Sequence, residues 1–473
     1  MLSWLTRPVA IKEKLAGRNF IPAHADFYSG KNGRPIELML QARTDFLSIW
    51  RKRDYTERVH EIRVLGRQIV IVNSPEHVRY VVAKRHENFE RKSPQMRRAL
   101  EYLLGDGLFI SDGETWKQRR SLVNDIVHKN RVPAFGPVME RTTQELVERW
   151  SSLGDGAEVN VLAEMAGLTA EIISRSVFGN TLGRDSADAV TDSFTSYQSL
   201  IDSINIGYFL GFNEGLPVWR TPSLRRSVKR IHGIIDGVVE DHLAGRGDHD
   251  SMIQLLLRRQ QKNPELKLDL VALRNEAATI FMAGHETTAA TLTWAWYLLS
   301  KAHWVEKAVH AEIAKVCGKR TPTIDDVPQL EWCRAVIEET LRLYPPVPIL
   351  ARQAKEADVV GDIKVEPAAL VLIVPWLLHR TGSLFEKPHH FRPERFLKGR
   401  PAPYSYIPFA AGPRVCPGLQ FGLTEAILCL AILAQKFKVR VPEDHAVEPQ
   451  CRLTLRPKGG LPVTLHPRGR KEA

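Results

Sequence analysis

Over most of the chain apolar residues recur every three or four positions, the spacing of helices that bury one face. Only a few short stretches alternate with the two-residue period of strands. Residues 61–72 predict two strands turning at Gly66, and Ser74-Pro75-Glu76 predicts a helix opening on a serine cap with proline in its first turn. Helical patterns then run from about 114 to 345, ended by Pro345-Pro346. Within them residues 270–300 form an apolar segment. A second strand-rich patch covers 359–374, residues 419–436 repeat the apolar helical spacing, and residues 452–463 predict a final hairpin. The pattern predicts a mainly α fold with small β-sheets, the β-rich parts lying at about 55–75, 355–378 and 450–466. No Gly/Ser-rich or Pro-rich linker and no repeat divides the chain, so residues 1–473 are expected to form a single domain.

Composition narrows the class. With 473 residues, 44% hydrophobic and 25% charged, the chain can bury a large core and does not read as disordered. A spanning helix needs roughly 18 consecutive apolar residues, and the longest candidates, 426–434 and 368–378 with Pro375 inside it, fall short. The amino-terminal Met1-Leu-Ser-Trp-Leu-Thr-Arg7 is too short in its apolar part for a signal sequence. No transmembrane anchor is therefore expected. Five cysteines, an odd number without metal-ligand spacing, predict a reducing, cytoplasmic compartment. The charge of +12 fits an acidic protein partner, a nucleic acid or an anionic membrane. No zinc-finger spacing, aromatic RNA-binding signature or long arginine tract accompanies it, so nucleic acid is not an expected partner. The basic run Arg225-Arg226-Ser-Val-Lys229-Arg230, just after Leu216-Pro-Val-Trp219, reads as a solvated helix face.

The strongest chemical signal is Phe409-Ala-Ala-Gly412-Pro-Arg414-Val-Cys416-Pro-Gly418. It sets one cysteine beside a cation at the entrance of the apolar helix 419–436, where helix amides and dipole predict a lowered thiol pKa. Gly412 and Gly418 carry no Cβ and would let a flat, bulky ligand approach the backbone, while Arg414 offers a forked donor to a carboxylate on it. Cys416 has no local partners for zinc.

This pattern resembles the haem-binding loop of the cytochrome P-450 superfamily. The resemblance implies that haem b lies between a long central helix and a proximal loop whose Cys416 is the axial thiolate. That ligand favours O–O cleavage. Ala283-Gly284-His285-Glu286-Thr287-Thr288 resembles the family's central-helix motif, in which the helix opens locally to make an oxygen pocket. By position Glu286 and Thr287 are the catalytic acid-alcohol pair that delivers protons, while His285 holds the variable position and reads as structural. Glu339-Thr-Leu-Arg342, with the arginine of Pro393-Glu394-Arg395-Phe396, resembles the buried staple beneath the haem. Glu331-Trp-Cys-Arg334 has the same spacing but lacks the Leu-Tyr-Pro-Pro that follows Arg342. Trp116 and Arg120, four apart on one helix face, resemble the propionate-binding helix, joined by Arg352 and Arg414. Lys117 and Arg119, on other faces of that helix, are candidates for docking an acidic reductant.

The reaction so implied is monooxygenation: dioxygen inserts one atom into an apolar small-molecule substrate. Electrons originate in NAD(P)H and arrive from an acidic ferredoxin or flavodoxin with its reductase, because the chain after Cys416 is too short for a fused flavin reductase. By the same resemblance the substrate is walled by residues 96–104, 200–210, 280–281, 347–350 and 453–455. A haem-thiolate peroxygenase, isomerase or dehydratase, needing no external electrons, is the alternative, followed by a non-enzymatic haem sensor. The intact Glu286-Thr287 pair speaks against both.

Overall fold

In the computed structural model the apolar segment becomes one continuous helix around which the rest is arranged. The structure describes residues 10–25, 41–42, 45–179, 189–190, 193–194, 196–197, 206–210, 212, 220–264, 269–451 and 453–469. The expectations for residues 1–7, 200–205 and 216–219, and for Arg452, fall outside these residues.

Among the described residues ten helices are longer than ten residues: α1 Pro94–Leu104, α2 Gly113–Ile126, α3 Gly136–Leu153, α4 Val161–Phe178, α5 Pro222–Leu243, α6 Met252–Lys262, α7 Leu270–Lys301, α8 His303–Cys317, α9 Glu331–Leu343 and α10 Leu419–Lys436. Asp269 caps α7 by accepting from Ala272 N, and the helix buries residues on every side, as its uninterrupted apolar sequence requires. Gly284 lies where α4 crosses α7. A Cβ there would meet the Ile173 side chain at 2.7 Å, so the glycine permits close helix packing. The helix does not open at this motif; it is continuous from Leu270 to Lys301. The α10 helix has the length and mean hydropathy, 1.3, of a membrane span, yet it packs against α3, α7, α8 and α9 with most of its surface buried.

Strands Val59–Val64 and Arg67–Val72 pair antiparallel as expected, although Leu65, not Gly66, takes the left-handed φ of 53° at the turn. Leu370–Ile373 runs parallel to Arg67–Val72 and antiparallel to Leu350–Gln353, which pairs in turn with Arg91–Lys92. That last pairing sets Lys92 opposite Arg352. The carboxyl-terminal segment departs from the expected single hairpin. Pro449–Cys451 pairs with Leu455–Pro457, but Pro462–Pro467 joins Phe437–Arg440 and Ala157–Asn160 in a separate sheet. Gly459 and Gly460, at φ 78° and 94°, turn the chain away, and Val463 and Leu465 then bury their side chains in the core.

Glu339 and Arg342 share a face of α9 and form a two-point ion pair at 2.7 and 2.8 Å, with neither residue exposed. Arg342 also donates to the carbonyls of His379, Pro388 and His390, while Glu339 accepts from Arg395 and from Arg392 N. Every charge in this cluster is partnered, which is the condition for burying it. Arg334, by contrast, donates to Pro328 O at the surface.

Candidate active site

The loop before α10 turns back on itself through Cys416 N donating to Phe409 O at 2.8 Å, and Val415 N to Gly412 O at 3.0 Å. Phe409, Cys416 and Gly418 face a cavity of about 290 Å³ that also meets α7. A Cβ on Gly418 would stand 3.9 Å from the Cys416 sulfur, so this glycine keeps the sulfur's surroundings open. Gly412 does not line the cavity. Its φ is +71° and a Cβ would lie 2.0 Å from Val82 O, so it serves the turn and its packing on the segment Tyr80–Lys84, not the approach of a ligand.

The thiol itself differs from the sequence expectation. Burial pushes the Cys416 pKa up, outweighing the Gly418 N–H and the charges of Arg120 and Lys92, which pull it down. A coordinated metal cation reverses that balance, because it removes the thiol proton outright. Cys429 is a separate case: it lies buried in α10 with Thr143 Oγ1 at 3.2 Å from its sulfur.

Four cations, Lys92, Arg120, Arg352 and Arg414, converge on the cavity. The Arg414 guanidinium stacks 4.2 Å over the Trp116 ring and donates through Nη1 to Ser111 O at 2.8 Å. Among the described residues its buried Nε and Nη2 have no hydrogen-bond partner, and Glu90 is 3.6 Å from Nη2. Burial, then Arg414, lowers the pKa of Arg352 to about 10; burial lowers Arg414 to about 10 against the pull of Glu90. Burial also drives Lys92 well below its usual value, with Arg352 and Arg414 adding to the effect. Four basic side chains with spare donors and one carboxylate, Glu90, among them call for a polyanionic ligand, and the two propionates of haem meet that demand beside a cysteine. The residues present therefore fit haem.

From α7, Glu286 and Thr287 both face the same cavity. The Thr287 hydroxyl donates to Ala283 O at 2.7 Å, satisfying its hydrogen within the helix. Glu286 lies 3.6 Å from Arg456 on Leu455–Pro457. His285 points away into the core, stacked on Phe281, with its pKa pushed down by burial to about 4. Thr288 donates at 3.4 Å to Glu425, a wholly buried acid of α10 whose pKa burial raises to about 8.

The cavity's apolar wall includes Met96 and Leu100 of the expected 96–104 segment, together with Ile280, Val347, Ile349, Leu350 and Leu453. Phe281 instead packs on Phe178 and Phe194, and Leu455 sits in the core. Arg119 is not a docking residue. It is 8% exposed and its charge is taken by Asp106 and by Glu276 of α7. Lys117 is exposed, 3.6 Å from Glu114. Sequence reasoning missed Lys92, Arg456 and Glu425. Only Glu425 carried a signal, an acid alone in an apolar helix.

A cysteine loop, a cationic end and an acid-alcohol pair on one cavity define a haem-thiolate protein. Comparison with known proteins fixes the family: the cytochrome P-450 family model matches residues 38–463, and the chain belongs to that family. Cyclooctatin synthase of Streptomyces melanosporofaciens is 30% identical over 404 residues, covering 84% of this chain and 86% of its own. A cytokinin hydroxylase of Arabidopsis thaliana is 32% identical over 400 residues, covering 81% and 76%. The chloroplastic carotene epsilon-monooxygenase of the same plant is 28% identical over 457 residues, covering 88% and 81%. The crystal structure of the cytochrome P-450DA haem domain has the same fold, with a TM-score of 0.77 at 22% identity over 93% of this chain and 94% of that one. The protein is a cytochrome P-450 monooxygenase.

Proposed function

We propose that the protein binds haem b through Cys416 and oxidises an apolar organic substrate, using electrons that pass from NAD(P)H through a separate acidic ferredoxin or flavodoxin. The observation that carries this reading is one cavity bearing Cys416, Glu286 and Thr287 within a largely apolar wall. Arg120, Arg352, Arg414 and Lys92 would hold the propionates, with Trp116 supporting Arg414. When bound, the haem supplies the activation of dioxygen.

The chain's own task is then to exclude water and to meter protons. Thr287 Oγ1 rests with its hydrogen on Ala283 O; to deliver a proton the hydroxyl turns off that carbonyl, gives its hydrogen to an acceptor in the cavity and takes a replacement on its lone pair. Glu286, facing Arg456, supplies the replacement from the side of the cavity reached by Leu455–Pro457. The apolar residues desolvate the substrate and keep stray protons out. An odd number of cysteines without metal-ligand spacing fits a reducing, cytoplasmic setting, and the continuous family match fits a single haem domain. Exposed Lys117 and the net charge of +12 suit an acidic reductant, whose encounter weakens as salt rises.

The test is product formed per reducing equivalent in Thr287→Ala with a substrate identified by its shift of the haem spectrum. Haem binding, substrate binding and electron uptake should survive, while reducing equivalents are diverted to hydrogen peroxide. Thr288→Ala, whose hydroxyl faces Glu425, should be much milder. Unchanged coupling in Thr287→Ala would remove the role assigned to that hydroxyl.

A further inference from the structure

The segment joining α1 to α2 carries two residues of the cavity wall, Leu108 and Phe109. It lies directly on α7. A Cβ at Gly105, where φ is +54°, would stand 2.1 Å from the Asn275 side chain, and one at Gly107 would be 2.3 Å from Thr279 Oγ1. Three polar side chains bind it there, two of them through its own Asp106. Leu108 N donates to Glu276 Oε1 at 3.0 Å, and Asn275 Nδ2 donates to Asp106 Oδ1 at 3.0 Å. Arg119 of α2 closes the set, with Nη2 donating to Asp106 Oδ2 at 3.2 Å and Nε 3.5 Å from Glu276 Oε1.

Glu276 is wholly buried, and among the described residues its Oε2 has no hydrogen-bond partner. A solvent-excluded carboxyl is costly unless something depends on it. Burial raises its pKa to about 8, with Arg119 pulling the other way, and Oε1 is the oxygen that accepts from Leu108 N.

We propose that Glu276 is a positioning residue: with Asp106, Asn275 and Arg119 it latches the α1–α2 segment onto the central helix and thereby fixes the cavity wall formed by Leu108 and Phe109. The inference rests on the proposed function only in taking this cavity to be the ligand cavity. The anchor is the hydrogen bond from Leu108 N, which needs an acceptor and not a charge. Glutamine therefore replaces Glu276 and leucine does not.

Two readouts on the haem-loaded protein test this: amide exchange of residues 105–110, and the rate at which 4-phenylimidazole leaves the haem pocket. Glu276→Leu should raise both by about tenfold, the scale of a buried N–H left without its acceptor. Glu276→Gln should stay within about twofold of the parent, as fits a neutral acceptor. Parent-like exchange in Glu276→Leu would overturn the proposal, and so would a Glu276→Gln variant as loose as the leucine one. If Glu276→Leu yields no folded protein, Asp106→Ala decides, since that side chain is half exposed and leaves the core intact. It should loosen the same segment several-fold, and unchanged exchange there would overturn the latch. The thiolate signature of the carbon monoxide complex should persist in every variant. Its absence from the parent would instead refute the haem-thiolate reading and leave the exchange result standing.

Discussion

Replacing Glu339 by glutamine should nearly abolish folded holoprotein, because one carboxylate neutralises two guanidinium groups in the interior. Its two oxygens bind Arg342 at 2.7 and 2.8 Å and accept from Arg395 at 3.1 and 3.2 Å, and Oε1 also accepts from Arg392 N. Arg342 is completely buried, so loss of the anion leaves its charge with three carbonyl dipoles and no counterion. Breaking a buried pair from one side costs about 3–5 kcal/mol, against a total stability of about 5–15 kcal/mol. The assay is guanidinium unfolding of haem-loaded protein, with the yield of holoprotein recorded first. Glu366→Gln, which breaks an exposed pair with Arg63, is the control and should leave the midpoint unchanged. A Glu339→Gln variant that loads haem and unfolds within about 1 kcal/mol of the parent would refute the argument that an unpaired interior charge dominates here.

Gly412→Ala should destabilise by more than about 2 kcal/mol, from the left-handed backbone and the clash with Val82 O. Gly418→Ala, where the new methyl meets the sulfur at ordinary contact distance, should unfold close to the parent; equal losses would contradict the separation of turn and cradle. Stability should peak near pH 6.5. Below it, His285, His310 and His389, held neutral by burial with pKa values of about 4, 4 and 3, bind protons only on unfolding, so stability is lost as pH falls towards 4. Above it, Glu276 and Glu425, raised to about 8, release protons only on unfolding, so stability is lost as pH rises from 4.5 to 8. Urea midpoints across pH 5–9 should show this dome, with the alkaline limb shallower in Glu425→Gln; a limb unchanged by that substitution would contradict the assignment.

What the sequence disclosed follows from how local each interaction is. The α7 and α10 helices are legible because a single apolar run decides them, and Cys416, Arg414 and Gly418 because one short loop holds them. The strand Ala157–Asn160 was not, since its partner Pro462–Pro467 lies some three hundred residues away. Lys92 enters the cavity only through its register with Arg352, a fact of sheet pairing that no spacing in the chain encodes. Arg119 was misplaced because helix periodicity tells which residues share a face but not which face is covered. The lowered thiol pKa failed for a similar reason: the glycines and cations were visible, but the depth of burial was not.

The central claim is that Cys416 alone provides the axial thiolate. The direct measurement is the absorption spectrum of the reduced carbon monoxide complex in Cys416→Ser, beside serine variants of Cys317, Cys333, Cys429 and Cys451. The red-shifted band of thiolate-ligated haem should vanish in Cys416→Ser and persist in the other four, which lie buried away from the cavity. A parent-like band in Cys416→Ser, or its loss in Cys429→Ser with haem still bound, would contradict the account.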